Sequence, residues 1–113
     1  MPDADVFVAI SDPRRREILE FLAREEHAVN EVVAWTGLAQ PLVSKHLQVL
    51  RQAGLVDVRR DGRRRLYHTE RRGLDAVRRW TARFDAFWSA QLLAIKADAE
   101  QGPPDTGSSG KET

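Results

Sequence analysis

The chain has 113 residues, 42% of them hydrophobic and 31% charged, which suits one globular domain with a modest core. It has no cysteine, which excludes disulfides, thiolate metal sites and thiol nucleophiles, and no run approaches the ~20 apolar residues of a membrane-spanning helix. The acidic N-terminus MPDADVFVAI lacks the layout of a signal peptide, so we expect a cytoplasmic protein with no membrane partner.

The net charge of +1 hides an uneven distribution along the chain. Residues 1–39 carry 4 basic and 8 acidic side chains, residues 40–72 carry 9 and 3, and residues 73–113 carry 5 and 6. The middle third therefore has a net charge of +6, and a face with that charge suits a polyanion. A solvated basic face without any partner is the alternative that charge alone leaves open.

The first half of the chain predicts four helices. Apolar residues at helical spacing indicate a short helix over 3–10, and the Asp-Pro pair at 12–13, a capping carboxylate followed by a proline suited to a first turn, predicts a helix over 13–24. Two more helices are predicted over 29–36 and 40–53, each ended by a glycine. Because only a short turn separates these two, they predict a helix-turn-helix.

A β-hairpin is predicted over 55–69, around the arginine-rich segment RRDGRRRLYH. Its Asp-Gly pair between two β-prone runs is a strong signal for a tight turn. A two-residue Asp-Gly loop would set two pairs of arginines against each other, Arg60 with Arg63 and Arg59 with Arg64. Like charges in such positions repel, so we expect the tip to project into water and to take its counter-charge from an outside partner.

The last predicted element is a long amphipathic helix over 72–100 without a proline. Residues 101–113 are small, polar and rich in Pro and Gly, and we expect them to form a disordered tail. The whole pattern predicts a mainly α fold with one small β-hairpin, in the order of a winged helix-turn-helix, as a single DNA-binding and dimerisation domain over 1–100.

The predicted DNA contacts lie on the helix 40–53 and on the hairpin. With its apolar stripe turned inward, the helix presents Gln40, Pro41, Ser44, Lys45, Gln48 and Arg51. The hairpin adds Arg59, Arg63, Arg64 and Arg65. In a helix-turn-helix the second helix enters the major groove, where Gln, Lys and Ser can bond base edges. The alternative is that these are ordinary solvent-side residues.

The predicted dimer surface lies on the first and last helices. About 28 residues at 1.5 Å each give the last helix a length of ~42 Å, more than so small a core can cover, and a long apolar stripe on a small protein usually marks an interface. We expect a homodimer through Val6, Phe7, Ile10, Trp80, Phe84, Phe87, Trp88, Leu92 and Ile95. A helix folded back as internal core is the alternative.

Nothing in the sequence predicts catalysis, a metal or another cofactor. The three histidines, His27, His46 and His68, are far apart, and His46 falls at the edge of the inward stripe of its helix, where we expect it to pack within the fold. No Gly-rich phosphate loop or nucleophile elbow is present. Two other functions stay open beside a DNA-binding regulator: a protein-interaction module that uses the aromatic helix, and an architectural DNA binder indifferent to sequence.

Three segments together resemble the ArsR-type winged-helix repressors: ISDPRRREILEFL, VNEVVAWTGLAQPLVSKHLQVLRQAGLV and RRDGRRRLYH. The resemblance implies a dimeric bacterial or archaeal transcriptional regulator that binds DNA. Family members usually repress and leave the operator when an effector binds; the sequence of this chain names no effector, and partner dissociation or simple autoregulation stay open. Metal-sensing members carry cysteines in the helix matching 29–36 or Asp/His pairs on the last helix; this chain has neither, and so resembles a non-metal branch. Ala39 stands where members often carry a capping Ser, a loss of about 1 kcal/mol if nothing else satisfies the helix.

Overall fold

The computed structural model describes the backbone of residues 2–101 and the side chains of residues 6–99. The elements are α1 (Pro2–Ile10), α2 (Pro13–Arg24), α3 (Val29–Thr36), α4 (Gln40–Gln52), β1 (Val56–Asp61), β2 (Arg64–Thr69) and α5 (Arg71–Gln101). This order confirms the predicted mainly α fold with one hairpin and a long last helix. Residue 101, predicted to open a disordered tail, ends α5 instead, and the rest of that predicted tail lies outside the described residues.

The chain divides into two units, Met1–Arg79 and Trp80–Thr113. The first holds α1 to α4, the hairpin and the start of α5, and the second holds the remainder of α5. The single domain over 1–100 stays a prediction. Over residues 2–101, no helix is both long and apolar enough to cross a membrane.

The core of the first unit is built from α1 to α4, the base of the hairpin and the start of α5. The apolar stripe of α4 is fully buried, as its spacing predicts, with Val43, Leu47 and Leu50 at most 1% exposed. Burying each such side chain stabilises the fold by about 1.5–3 kcal/mol. The other core members are Val6, Ala9, Ile18, Leu22, Val32, Ala53, Leu55, Val56 and Ala76. This packing holds the opposite face of α4 towards solvent.

A left-handed glycine ends α4 and directs the chain into the hairpin. Gly54 has φ +74°; its N–H donates to the Arg51 carbonyl, and the Leu55 N–H donates to the Leu50 carbonyl, both at 3.0 Å. These two bonds form a Schellman motif, with buried Leu55 supplying the apolar contact that usually accompanies it. The helix ends at Gln52, one residue before the predicted bound.

The hairpin turn lies one residue later than the Asp-Gly signal indicates. Asp61 pairs with Arg64, Arg60 with Arg65 and Arg59 with Leu66, so the two loop residues are Gly62 and Arg63. Gly62, with φ +66°, takes the first loop position, where both primed hairpin turns require a positive φ. The expected pairing of Arg60 with Arg63 and of Arg59 with Arg64 is therefore wrong. Asp61 and Arg64, which have opposite charges, face each other next to the turn, and this pairing reduces the repulsion among the hairpin arginines.

The base of the hairpin is attached to the rest of the first unit at two places. The Tyr67 N–H donates to the His27 carbonyl at 2.8 Å and the His27 N–H donates back at 3.0 Å, so the α2–α3 connection pairs with the outer edge of β2. At the two ends of the hairpin, the Glu70 N–H donates to the Leu55 carbonyl and the Gly73 N–H of α5 donates to the Gly54 carbonyl after α4, both at 2.8 Å. These bonds fix the position of the hairpin relative to α4.

Candidate nucleic-acid interface

The outward face of α4 has the composition that its spacing predicts. The six residues assigned to it are all exposed: Gln40, Pro41, Ser44, Lys45, Gln48 and Arg51. His46 is only 7% exposed, and its Nδ1 lies 3.4 Å from the Arg15 Nη1, which confirms that it packs within the fold. The exposed face is therefore polar and basic, and it contains no acidic residue.

A groove of about 330 Å³ joins the N-terminal end of α4 to the hairpin. It is lined by Ala28, Val29, Asn30, Gln40, Ser44, Arg63, Arg65 and Tyr67. Four of the predicted DNA-binding residues thus meet at one site, two from the helix and two from the hairpin. The lining holds two guanidinium groups and no carboxylate, so the groove suits an anion such as a phosphate.

The N-terminus of α4, which borders this groove, has no side-chain cap. Ala39 occupies the N-cap position and no side chain bonds there, as the sequence indicates. The Leu42 and Val43 N–H groups both donate to the Ala39 carbonyl at 3.0 Å, and Pro41 has no N–H to satisfy. The missing cap therefore costs less than the expected 1 kcal/mol, because few donors are left without a partner.

Two hairpin arginines are held by carboxylates of the same chain. The Arg59 guanidinium donates from Nε to Glu26 Oε1 at 2.8 Å and from Nη2 to Glu26 Oε2. The hydrogen bond from Arg59 lowers the pKa of Glu26, and Glu26 in turn raises the pKa of Arg59. Arg64 Nη2 lies 3.3 Å from Glu31 Oε2. Both pairs are partly exposed, so they are weak and exchangeable.

Glu31 also fixes the start of α3. Its Oε1 accepts from the Ala28 N–H at 2.9 Å and lies 3.2 Å from His27 Nδ1. The Ala28 N–H is the largest cause of the lowered pKa of Glu31, ahead of the His27 ring and the Arg64 charge. The Glu31 carboxylate therefore contacts both the start of α3, through the Ala28 N–H, and the hairpin, through Arg64.

A third predicted contact, Arg51, lies 3.4 Å from Asp57 Oδ1. The pKa of Asp57 is lowered chiefly by the Val58 N–H and further by Arg51. Lys45, Arg63 and Arg65, in contrast, have no ion pair within residues 6–99. These three cations are therefore available to an outside anion without a competing carboxylate.

Several residues of this site were absent from the sequence-based assignment. Asn30 and Tyr67 line the groove, and Glu26 and Glu31 hold the hairpin arginines. Glu26 is 33 positions from Arg59, so no local spacing reveals the pair. Arg63 of the loop and Arg65 and Tyr67 of β2 occupy every second position, and this alternation is the sequence signal that points to a shared face.

The aromatic stripe of α5 is exposed along the second unit. Trp80, Phe84, Phe87, Trp88, Leu92 and Ile95 are each between 38% and 66% exposed. Trp80 and Phe84 meet edge to face with centroids 5.0 Å apart, and Phe84 lies 6.0 Å from Trp88. Such a stripe on one helix is suited to a partner surface. Val6, assigned to the same interface, is instead 1% exposed in the core of the first unit, and Ile10 packs partly buried against that core.

Over the described part of the chain, no three His, Cys, Asp or Glu side chains gather as ligands of a metal ion would.

Comparison with known proteins identifies the family. The family model described as bacterial regulatory protein, arsR family, matches residues 12–58, which run from the cap of α2 into β1. The transcriptional regulator Rv2034 of Mycobacterium tuberculosis is 40% identical over 96 residues, covering 80% of this chain and 87% of that protein. The chain belongs to the arsR family of bacterial regulatory proteins.

Solved structures of the arsR family agree with the fold. An ArsR-like transcriptional regulator from Rhodococcus sp. RHA1 superposes with a TM-score of 0.68 at 33% identity, covering 89% of this chain and 95% of that one. The homodimeric winged helix-turn-helix DNA-binding domain Mb0332 of Mycobacterium bovis gives 0.61 at 30% identity, covering 95% and 88%. The fold is therefore a winged helix-turn-helix, with α3 and α4 as its two helices and the hairpin as its wing.

Proposed function

We propose that this chain is a homodimeric repressor that binds an inverted-repeat operator in the cytoplasm. The observation that supports the proposal best is the groove in which Gln40 and Ser44 of α4 meet Arg63 and Arg65 of the wing. A single duplex backbone passing along this groove would place the exposed face of α4 in the major groove. The wing would lie on the backbone or in the minor groove.

The roles of the residues follow from their positions. Gln40, Ser44 and Lys45, at the N-terminal end of α4, reach base edges, because this end of a recognition helix makes the specific contacts. Arg63 and Arg65 bind phosphate, since they line the groove and have no competing carboxylate. Arg59, Arg64 and Arg51 add charge that becomes available when their ion pairs exchange. Pro41 and Gln48 contribute surface along the same face.

The dimer is proposed to form through the stripe of α5, and Mb0332 is described as homodimeric. A twofold dimer would present two recognition helices to half-sites one helical turn apart, about 34 Å. We leave Val6 out of this surface because it is buried within one protomer. The proposed function involves no catalytic step, cofactor or metal.

Duplexes selected from a random pool, followed by affinity measurement against salt, test the proposal. We expect one preferred inverted repeat and a log–log salt slope of several units, because several phosphates are neutralised. Lys45→Ala should change the preferred sequence. Arg63→Ala should weaken binding to all duplexes alike and reduce the salt slope by about one. Arg60→Ala is its control, because Arg60 does not line the groove.

A flat salt response would contradict DNA binding altogether. Equal affinity for every duplex would favour the architectural binder. A monomer that binds no DNA but captures a protein through the aromatic stripe would favour the interaction module.

A further inference from the structure

A second groove, of about 500 Å³, lies between α2 and the end of α3, apart from the proposed DNA contacts. It is lined by Glu17, Glu20, Phe21, Arg24, Trp35 and Thr36. Cavities of this size hold small organic molecules. None of the residues assigned to DNA or to the dimer takes part in it.

The two aromatic residues that line this groove, Phe21 and Trp35, belong to a stack of three rings. Phe21 lies in the middle, with the His27 ring 4.1 Å away on one side and the Trp35 ring 4.4 Å away on the other, both at 11°. Trp35 is nevertheless 50% exposed and lines the groove, so part of its side chain is accessible to a ligand there. An indole face carries negative π density and is the best aromatic partner for a cation.

The polar side of the groove is acidic. Glu17 and Glu20 contribute two negative charges against one positive charge from Arg24. Glu17 has a weak pair with Arg14 at 3.7 Å, whereas Glu20 has no ion pair within residues 6–99. An anion would therefore meet a net negative charge. A cation would find both a carboxylate and an aromatic face.

We propose that this groove binds a small organic cation carrying an aromatic ring, and that its binding weakens the affinity of the chain for DNA. The ring would stack on Trp35, and the charged nitrogen would lie beside Glu20. This regulatory part rests on the proposed function, whereas the binding part does not.

Two connections lead from the groove to the DNA-binding elements. Trp35 and Thr36 immediately precede Gly37, whose φ of +75° forms the turn into α4. The stacked His27 is paired through its backbone with Tyr67 of the wing, and its ring lies 3.2 Å from Glu31, which holds Arg64. A ligand that shifts Trp35 would therefore act on the recognition helix through the turn and on the wing through the stack.

The binding part is tested on the full chain without DNA, by ¹H–¹⁵N NMR titration with benzyltrimethylammonium. We expect saturable shifts, largest at the Trp35 indole and the Thr36 and Gly37 amides, with a Kd of about 1 mM for so small a probe. Phenylacetate, with a similar ring and the opposite charge, should give none. Shifts elsewhere, shifts that never saturate, or equal shifts with phenylacetate would overturn the site.

Variants assign the contacts. Glu20→Gln should weaken binding of the probe about threefold, because it removes the counter-charge of the cation, and Trp35→Leu by at least as much, because it removes the aromatic surface on which the ring stacks. Glu70→Gln removes the same charge outside the groove and should leave the affinity unchanged. Glu20 is exposed, so its variant folds even if Trp35→Leu does not. Equal affinity in wild type and Glu20→Gln would overturn the assignment.

The regulatory part is tested by measuring the affinity for the selected duplex with and without saturating benzyltrimethylammonium. We expect a loss of about fivefold or more in the wild type, the usual lower range of allosteric coupling, and a smaller loss in Glu20→Gln at the same probe concentration. Unchanged or tighter DNA binding with a filled groove would overturn this part. Failure to bind any duplex would contradict the proposed function and leave the NMR result standing.

Discussion

Arg59 of the wing donates two hydrogen bonds to the carboxylate of Glu26, which lies on the connection between α2 and α3. A carboxylate holding a guanidinium through both its oxygens resembles the way a phosphate would hold it. The wing therefore has an internal counter-ion in the absence of DNA. A phosphate that contacts Arg59 must first replace Glu26.

Replacing Glu26 by Gln should strengthen binding to all duplexes by about two- to fivefold, because the competing charge is weak and exposed. The preferred sequence should not change, since phosphate contacts carry no sequence information. Fluorescence anisotropy at several salt concentrations measures both. Glu25→Gln is the control, because it removes the same charge at the neighbouring position, where the side chain is 74% exposed. Equal gains in the two variants would show that net charge, rather than the Arg59 pair, is responsible.

Adding a serine cap should stabilise α3 more than α4. Ala28 and Ala39 are both N-cap residues whose own side chains make no capping hydrogen bond. Asn30, the second residue of α3, has an N–H that can donate to a serine hydroxyl at position 28, whereas Pro41 at the same position of α4 has none. We expect Ala28→Ser to raise the free energy of unfolding by about 1 kcal/mol and Ala39→Ser by about half of that. Urea unfolding midpoints compare the two, and a larger gain at Ala39 would contradict the explanation.

Gly73→Ala should destabilise the first unit by about 1–3 kcal/mol. An added Cβ would lie 2.8 Å from the Ala53 carbonyl oxygen and from the Gly54 backbone, and neither can move aside like a flexible side chain. In a helix without such close neighbours the same change would raise the free energy of unfolding by about 1 kcal/mol. The direction of the measured change therefore shows whether the close contact at Gly73 dominates. Thermal unfolding measures it. Gly37→Ala, with nothing within 4 Å of the added carbon, reports the separate cost of a positive φ.

The cap of α2 makes stability depend on pH. The Arg14 N–H donates to Asp12 Oδ1 at 2.8 Å, and this bond is the largest cause of the lowered pKa of Asp12. A carboxylate whose pKa is lower in the folded state than in the unfolded state stabilises the fold at pH values above its unfolded pKa, about 3.9. This contribution is lost as the pH falls through the pKa of the folded state. Asp12→Ala should therefore cost about 1 kcal/mol at neutral pH, and the difference should shrink in acid.

Asp12→Asn is the matched control for this effect, because Asn also caps a helix but does not titrate. The free energy of unfolding of Asp12→Asn should differ little from that of the wild type at neutral pH. Urea unfolding at a series of pH values follows both variants. A cost of Asp12→Ala that is the same at pH 7 and in strong acid would contradict a role of the ionised carboxylate.

Trp88→Glu should convert the proposed dimer into monomers. Trp88 is 58% exposed beside Phe84, and a charge in the middle of an apolar interface is left without a partner. Ala90→Glu adds the same charge about 200° around α5 and should leave the dimer intact. Sedimentation equilibrium gives the mass of each. A wild-type monomer, or dimers that survive Trp88→Glu, would contradict the α5 interface.

Local signals in the sequence predict most of the fold. The Asp12-Pro13 start of α2 and the glycines that end α3 and α4 set helix bounds to within about one residue, because caps depend on neighbours in the chain. The Asp61-Gly62 pair predicts that a hairpin exists but places its turn one residue early. The register depends instead on which residue takes the positive φ and on the burial of Leu66.

The sequence by itself determined the order of the elements and the exposed face of α4, since both follow from periodicity within a single element. Only the tertiary structure decided which arginines are available to DNA. Arg59 is held by Glu26, 33 positions away, whereas Arg63 meets Ser44 across a groove that exists only when helix and wing are packed together. Contacts between residues so far apart depend on where several elements come to lie, and no spacing along the chain records them.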